Sequence, residues 1–215
     1  LLIYQAVIEI MDDEIILLGY SGHAYSVIDA ALNNGSKITG YCDFKENKEN
    51  PFAIKFLGKE VDLAHNQNAL FFPSVGDNIL RKQLVDFIES KKWGQTKIIH
   101  PSSKISSKTT IGHSTFISSG AIVNALAYIG KGCIINSGAI IEHECKIENF
   151  CHIAPGATVA GNVKIGAHSF VGSNATIIPG VTIGQNVIIG AGTVVLKDIP
   201  DNATCVGNPA IIIKK

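Results

Sequence analysis

The sequence carries no charge bias. Eighteen lysines and arginines balance eighteen aspartates and glutamates, so the formal net charge is zero. No basic block suits the chain to nucleic acid or to an anionic membrane surface. No apolar run approaches the roughly 20 residues that a membrane span requires. The five cysteines are odd in number and form no C-x-x-C pair, which points to a reducing cytoplasm. Methionine occurs once, at position 11. The apolar stretch before it, LLIYQAVIEI, has no basic residue ahead of it and no small-residue cleavage site, so it makes a poor signal peptide. Met11 is the expected start and residues 1–10 an extension. The 215 residues allow one large or two modest domains.

Two kinds of pattern divide the chain. Over residues 11–100, strand-like and helix-like segments alternate. EIILLG reads as a buried strand. YSGHAYSVIDAALNNG reads as a helix with Val27, Ile28, Ala31 and Leu32 at helical spacing and Gly35 as its stop. SKITGYCD and ALFFPSVG are further strands, DNILRKQLVDFIESKKWG a second helix, and TKIIHPS a short fourth strand. This order predicts a small Rossmann-like parallel α/β sheet.

Residues 101–215 follow another rule. From Ile105 to Val195, Ile or Val falls at sixteen consecutive positions spaced by six residues. A slim residue sits two places before nearly every one, among them Ala139, Cys145 and Cys151. An amphipathic helix cannot generate a period of six. Hexapeptide repeats mark a parallel β-helix, with three six-residue sides closing an 18-residue triangular coil. Coils stack at roughly 4.8 Å, and five of them are expected.

The repeat also fixes where the one charged interruption, Glu142-His143-Glu144, points. Ile141 and Cys145 take the inward positions of that unit, so His143 lies outside, near a corner. One coil later is Gly161, a residue without a side chain stacked on the histidine. A base beside a bare backbone N–H suits acyl transfer, where a proton leaves the nucleophile and an oxyanion develops. Glu142 reads as a polar turn residue. A metal site built from His143, Cys145, Cys151 and His152 is the competing arrangement, but the two cysteines face the core while His143 faces out. No metal is expected.

The motifs GYSGHAYSVIDA, CDFK, VGDNILRK, IIHPS, INSGAIIEHECKI, HIAPGATVAGNVKIG and VGNPA together resemble those of the left-handed β-helix (hexapeptide-repeat) acyltransferases. Within that group the chain is similar to the bacterial UDP-4-amino-sugar N-acetyltransferases and to their relatives the sialic acid O-acetyltransferases. The resemblance implies acetyl-CoA as co-substrate, lying in a groove between two subunits of a homotrimer. It gives His143 the part of general base and Glu144 that of its partner. His152 would lie near the thioester, Gly161 would donate its N–H to the acetyl carbonyl, and the Ser173 and Ala191 backbones would contact the pantetheine arm. VGNPA resembles the closing segment near the nucleotide end of CoA, and Asn136 the polar residue near the acceptor amine.

The acceptor is expected on the first domain. Gly19 and Gly22 follow a strand and precede a helix, where glycines let a phosphate approach backbone N–H groups. Asp43 ends the second strand, where a carboxylate can bind a ribose hydroxyl. His23 could meet the diphosphate, with Gly76 and Asn78 at the end of the third strand. The family has two aspartates where this chain has Cys42-Asp43, which puts uridine in doubt as the base. The expected activity is acetyl transfer from acetyl-CoA to the amine of a nucleotide-linked 4-amino-4,6-dideoxy sugar. Alternatives are O-acetylation of a sugar such as sialic acid, and a non-catalytic sugar-nucleotide binding protein.

Overall fold

A computed structural model describes residues 14–63 and 69–214. The proposed extension, residues 1–10, lies outside the described residues. Strand β1 (Glu14–Leu18) is apolar on both faces because both are covered. Ile15 and Leu17 pack towards helix α1 (Gly22–Asn33), and Ile16 and Leu18 towards the side of α2 (Asn78–Ser90). With β2 (Lys37–Cys42), β3 (Ala69–Pro73) and β4 (Gly94–Gln95), β1 forms a parallel sheet in the order β2-β1-β3-β4. Ala24, Val27, Ile28 and Ala31 of α1 are buried as their spacing predicts, but Leu32 turns out to solvent. The Asp77 carboxylate accepts the Leu80 N–H at 2.8 Å and caps α2.

The strand read in TKIIHPS belongs elsewhere. Ile98–Ile99 pairs with Phe116–Ile117 of the solenoid, and Gly94–Gln95 is the fourth strand of the small sheet. The chain therefore enters the solenoid one six-residue side ahead of Ile105, and Thr204–Val206 extends it beyond Val195 at the other end. Ile98, Phe116 and Ile134 stack on successive coils, and their outward side chains join the α1 core. Helix α1 is thus buried on two sides, by its own sheet and by the solenoid.

From there the chain is the left-handed β-helix expected from the repeat, with three sheets built of parallel two-residue strands, one of them closed by the antiparallel pairing of Thr204–Val206 with Ile211–Lys214. The repeating Ile and Val residues from Ile117 to Val195 fill the interior. All five cysteines are buried and unbonded. Backbone φ turns positive once every six residues from Ser114 to Gly192, at the corners. That explains the abundance of Gly and Asn there. Ser114, Leu126, Glu144, Phe150 and His168 adopt the same conformation without that excuse.

The two parts are locked by Arg81, which is 1% exposed. Its guanidinium donates to the Gly132 and Phe150 carbonyls of two successive coils at 2.6 and 3.2 Å. It also donates to the Gly76 carbonyl at 2.9 Å and to Asn78 Oδ1 at 2.6 Å. Burial lowers its pKa to about 10, so it stays charged at neutral pH. Arg81→Met would leave several buried carbonyls without donors, at a cost of about 3 kcal/mol or more. The expected outcome is a lower melting temperature in which the α/β unit loosens before the solenoid, measured by hydrogen exchange. Equal protection of both parts in the variant would contradict this role for Arg81.

Candidate functional site

His143 stands at the corner after the strand Ile140–Ile141. The stacking is as the repeat predicts. The Asn162 N–H donates to the His143 carbonyl at 2.9 Å, which aligns the two corners. A Cβ added at Gly161 would sit 2.7 Å from both Cε1 and Nε2 of His143. The imidazole therefore occupies the volume that any side chain at 161 would need.

Glu144 takes the left-handed corner conformation, with φ of 58°. Its Oε2 lies 3.1 Å from Nδ1 of His143. A carboxylate only accepts, so this contact places a proton on Nδ1 and leaves the Nε2 lone pair to accept. The His143 and Glu144 side chains are more than half exposed, so solvent weakens the pair. Its value lies in orientation.

The Gly161 N–H has no hydrogen-bond partner among the described residues. At the equivalent corner position in other coils, Lys131 and Gln185 donate their N–H groups to side chains one coil on, Asn149 and Asp201, at 3.0 and 2.9 Å. One coil beyond Gly161 is Pro179, whose side chain accepts nothing. An imidazole, a carboxylate that orients it and a backbone N–H unpaired among the described residues thus meet at one corner.

A second cluster forms where the α/β unit meets the solenoid. His23 opens α1, and its ring lies 6.4 Å from that of His152 and edge-on to Phe116. Asn136 Nδ2 is 3.2 Å from His152 Nε2. Gly76 lies against the His23 side chain. Burial and the Arg81 charge lower the pKa of His23 to about 4. Burial, Arg81 and His23 lower that of His152 to about 3. Both rings are neutral at physiological pH, and His23 Nε2 is buried without a partner among the described residues. Beside this cluster a cleft of about 400 Å³ opens, lined by Gly76, Asn78, His168, Phe170 and Ile188.

The remaining residues singled out in the sequence fall in several places. Gly22 has nothing within 4 Å of an added Cβ, so the start of α1 is open to approach. Asp43 holds the Tyr20 and Phe44 N–H groups at 2.9 and 2.7 Å, beside a pocket at the strand ends. Asn78 is the first residue of α2 and not the end of β3. Its amide donates to the His168 carbonyl at 3.0 Å and so docks the helix on the solenoid. Ser173 and Ala191 stack as expected, with the Gly192 N–H donating to the Ser173 carbonyl at 2.8 Å. Cys42 is 1% exposed and packs with Ile16, Leu18 and Phe71. Its thiol is raised to about 12 by burial, Glu60 and Asp43, so position 42 offers a ligand no charge.

Within one chain these groups do not all converge. His143 lies at the corner between the sheets containing Ile140–Ile141 and Lys146–Ile147, whereas His152 lies on the opposite side of the triangle. Ser173 and Ala191 occupy a third location, the corner after Phe170–Val171 and Ile188–Ile189. Sequence reasoning also missed Arg81, although its spacing to Val85 and Ile88 puts it on the apolar face of α2.

Two outcomes test this geometry. Gly161→Ala should keep the fold, because Gly161 is not among the positive-φ glycines and the atoms it displaces belong to an exposed ring. Its melting temperature should match the parent while turnover falls at least about tenfold through the displaced base. The buried imidazoles should make stability depend on pH. Below the ordinary value of 6.5 the unfolded chain takes up protons that folded His23 and His152 refuse. Their contribution is therefore complete above pH 6.5 and is lost as pH falls towards about 4. Denaturant melts of the His23→Gln/His152→Asn double variant should show a flatter pH slope across that window.

Comparisons with known proteins agree with this architecture. Residues 127–161 and 162–197 match the bacterial transferase hexapeptide (six repeats) family, and residues 14–88 match the PglD N-terminal domain. A perosamine N-acetyltransferase variant from Caulobacter crescentus, solved with CoA and GDP-perosamine, superposes with a TM-score of 0.90 at 32% identity. That match covers 94% of this chain and 97% of the other. The acetyltransferase domain of PglB from Neisseria gonorrhoeae, in complex with acetyl coenzyme A, gives 0.89 at 28% identity over 93% and 98% of the two chains. The uncharacterized protein L142 of Acanthamoeba polyphaga mimivirus is 34% identical over 105 residues, 48% of this chain. The chain spans only 21% of that curated relative's length.

Proposed function

Because this chain belongs to the hexapeptide-repeat acyltransferases that carry a PglD-type N-terminal domain, we propose that it transfers acetyl from acetyl-CoA to the amine of a nucleotide-linked amino sugar. The observation that carries the reading is the His143 imidazole, oriented by Glu144 and stacked on Gly161. The Caulobacter protein's GDP-perosamine supplies the precedent for the acceptor class and the Neisseria domain that for the donor.

The geometry suits direct transfer. His143 Nε2 takes the proton of the acceptor amine as its nitrogen attacks the thioester carbon. Glu144 holds the Nδ1 proton and stabilises the imidazolium that forms. The Gly161 N–H faces the oxygen that gains negative charge. The C–S bond then breaks, and the thiolate of CoA leaves and is protonated. No cysteine is available for a covalent intermediate, since all five are buried. The five unpaired thiols also suit a cytoplasmic protein.

The His23, Gly76, Asn136 and His152 cluster is the acceptor end in this reading, with its neutral rings able to hydrogen-bond a sugar. The two ends join when the His143 corner of one copy faces the junction of a second, in a groove that also takes in Ser173 and Ala191. A homotrimer satisfies this, and light scattering of the pure protein tests it.

A panel of amino-sugar nucleotides and free sialic acid, incubated with acetyl-CoA and read by mass spectrometry, identifies the acceptor. Acetylated amino-sugar nucleotide is the expected product. Ester formation on a hydroxyl would replace it with the O-acetyltransferase reading, and no CoA release with any acceptor would favour a binding protein. On the active substrate, His143→Ala should lower kcat by about 10²- to 10⁴-fold, the usual worth of a general base, with the melting temperature unchanged. Undiminished turnover would remove His143 from the mechanism.

A further inference from the structure

The ends of β1, β2 and β3 enclose a pocket of about 230 Å³ in which Asp43 stands beside Glu60, Phe44 and the side chains of Val75, Leu80 and Leu84. We infer that this pocket takes the base of the nucleotide and selects guanine through the Glu60 carboxylate. The inference rests on the nucleotide-sugar reading above and deepens it by naming the base.

Position comes first. The strand order β2-β1-β3 places α1 on one face of the sheet and α2 on the other, so the crevice between β1 and β3 is a topological switch point, where α/β sheets bind ligands. Asp43 directly follows β2, where a ribose-binding carboxylate would stand. A base attached to that ribose then reaches either this pocket or the neighbouring one of about 400 Å³, lined by Tyr20, Asp43 and the loop from Lys45 to Glu49. The neighbouring pocket is the more polar of the two, lined mainly by charged side chains. The first has Val75, Leu80 and Leu84 along one wall, and Phe44, 75% exposed, available for stacking.

Glu60 decides which base. It sits in the short 3-10 turn Glu60–Asp62, half-buried, and its carboxylate has no hydrogen bond or ion pair among the described residues. A carboxylate only accepts. Guanine presents two adjacent donors, N1–H and the 2-amino group, which a carboxylate engages as a pair. Uracil presents one N–H flanked by two carbonyl oxygens, so the same carboxylate meets two acceptors. Adenine presents one donor beside one acceptor. The nearby Cys42 adds no second reader, being buried and neutral. The pocket thus favours guanine both by the bonds it makes and by the repulsion it opposes to uracil.

Titration calorimetry of the full chain with GDP, IDP and UDP tests the inference without requiring turnover. GDP should bind tightest. IDP, which lacks the 2-amino group, should be weaker by about 10- to 100-fold, the worth of one charge-assisted hydrogen bond. UDP should be weaker still. Glu60→Gln should bring GDP close to IDP while leaving the melting temperature unchanged, and Phe44→Ala should weaken all three alike. UDP binding as well as GDP, or an unaltered GDP preference in Glu60→Gln, overturns the role of Glu60 and leaves the acetyltransferase reading intact. Binding of none of the three removes the nucleotide-sugar reading and this inference with it.

Discussion

The coil length of eighteen residues is the constraint on which the rest of the molecule depends. It sets every residue of one coil beneath its counterpart in the next, and the interior admits only a branched or slim side chain at each inward position. Inward columns of Ile and Val supply the core, and burying each such side chain contributes roughly 1.5–3 kcal/mol. Outward columns become surfaces with a fixed vertical spacing. A histidine at 143 and a glycine at 161 are then neighbours by necessity, as are Ser173 and Ala191. The corner where His143 meets Gly161 is a by-product of the register that stabilises the fold.

The corners show how local strain is distributed. Where the chain must turn into the left-handed region, Gly and Asn do so at little cost. Glu144 does so at φ of 58°, and the gain is a carboxylate folded back onto the ring that precedes it. A non-glycine residue in this region commonly marks a site where geometry outweighs local preference. Arg81 plays a comparable part at the other end. It is a buried cation that docks the α/β unit on two coils through carbonyl acceptors. Its charge helps keep His23 and His152 neutral.

Much of this was legible in the sequence because periodicity is an exact constraint. A repeat of six specifies inward and outward positions without coordinates, which is why the His143 and Gly161 contact could be anticipated. Where the sequence offered only a short apolar run, the reading was weaker. Ile98–Ile99 looks like a sheet-closing strand as much as the first side of a coil, and only its pairing with Phe116–Ile117 decides. Leu32 has helical spacing but lies past the edge of the surface that covers α1. Asn78 carries a polar amide near a strand end, yet tertiary contact directs it to the His168 carbonyl. Glu60 gave no local signal, because its place beside Asp43 depends on the course of the loop after β2.

The same register separates the two clusters on one chain. The His143 corner is solvent-exposed, and the cluster of His23 and His152 is enclosed between the α/β unit and the opposite side of the prism. A crystal structure with acetyl-CoA bound tests the account most directly. The thioester oxygen should lie about 3 Å from the Gly161 nitrogen, with His143 Nε2 turned towards the carbonyl carbon. An acetyl group bound away from that corner, or a Gly161 N–H directed elsewhere, would contradict it.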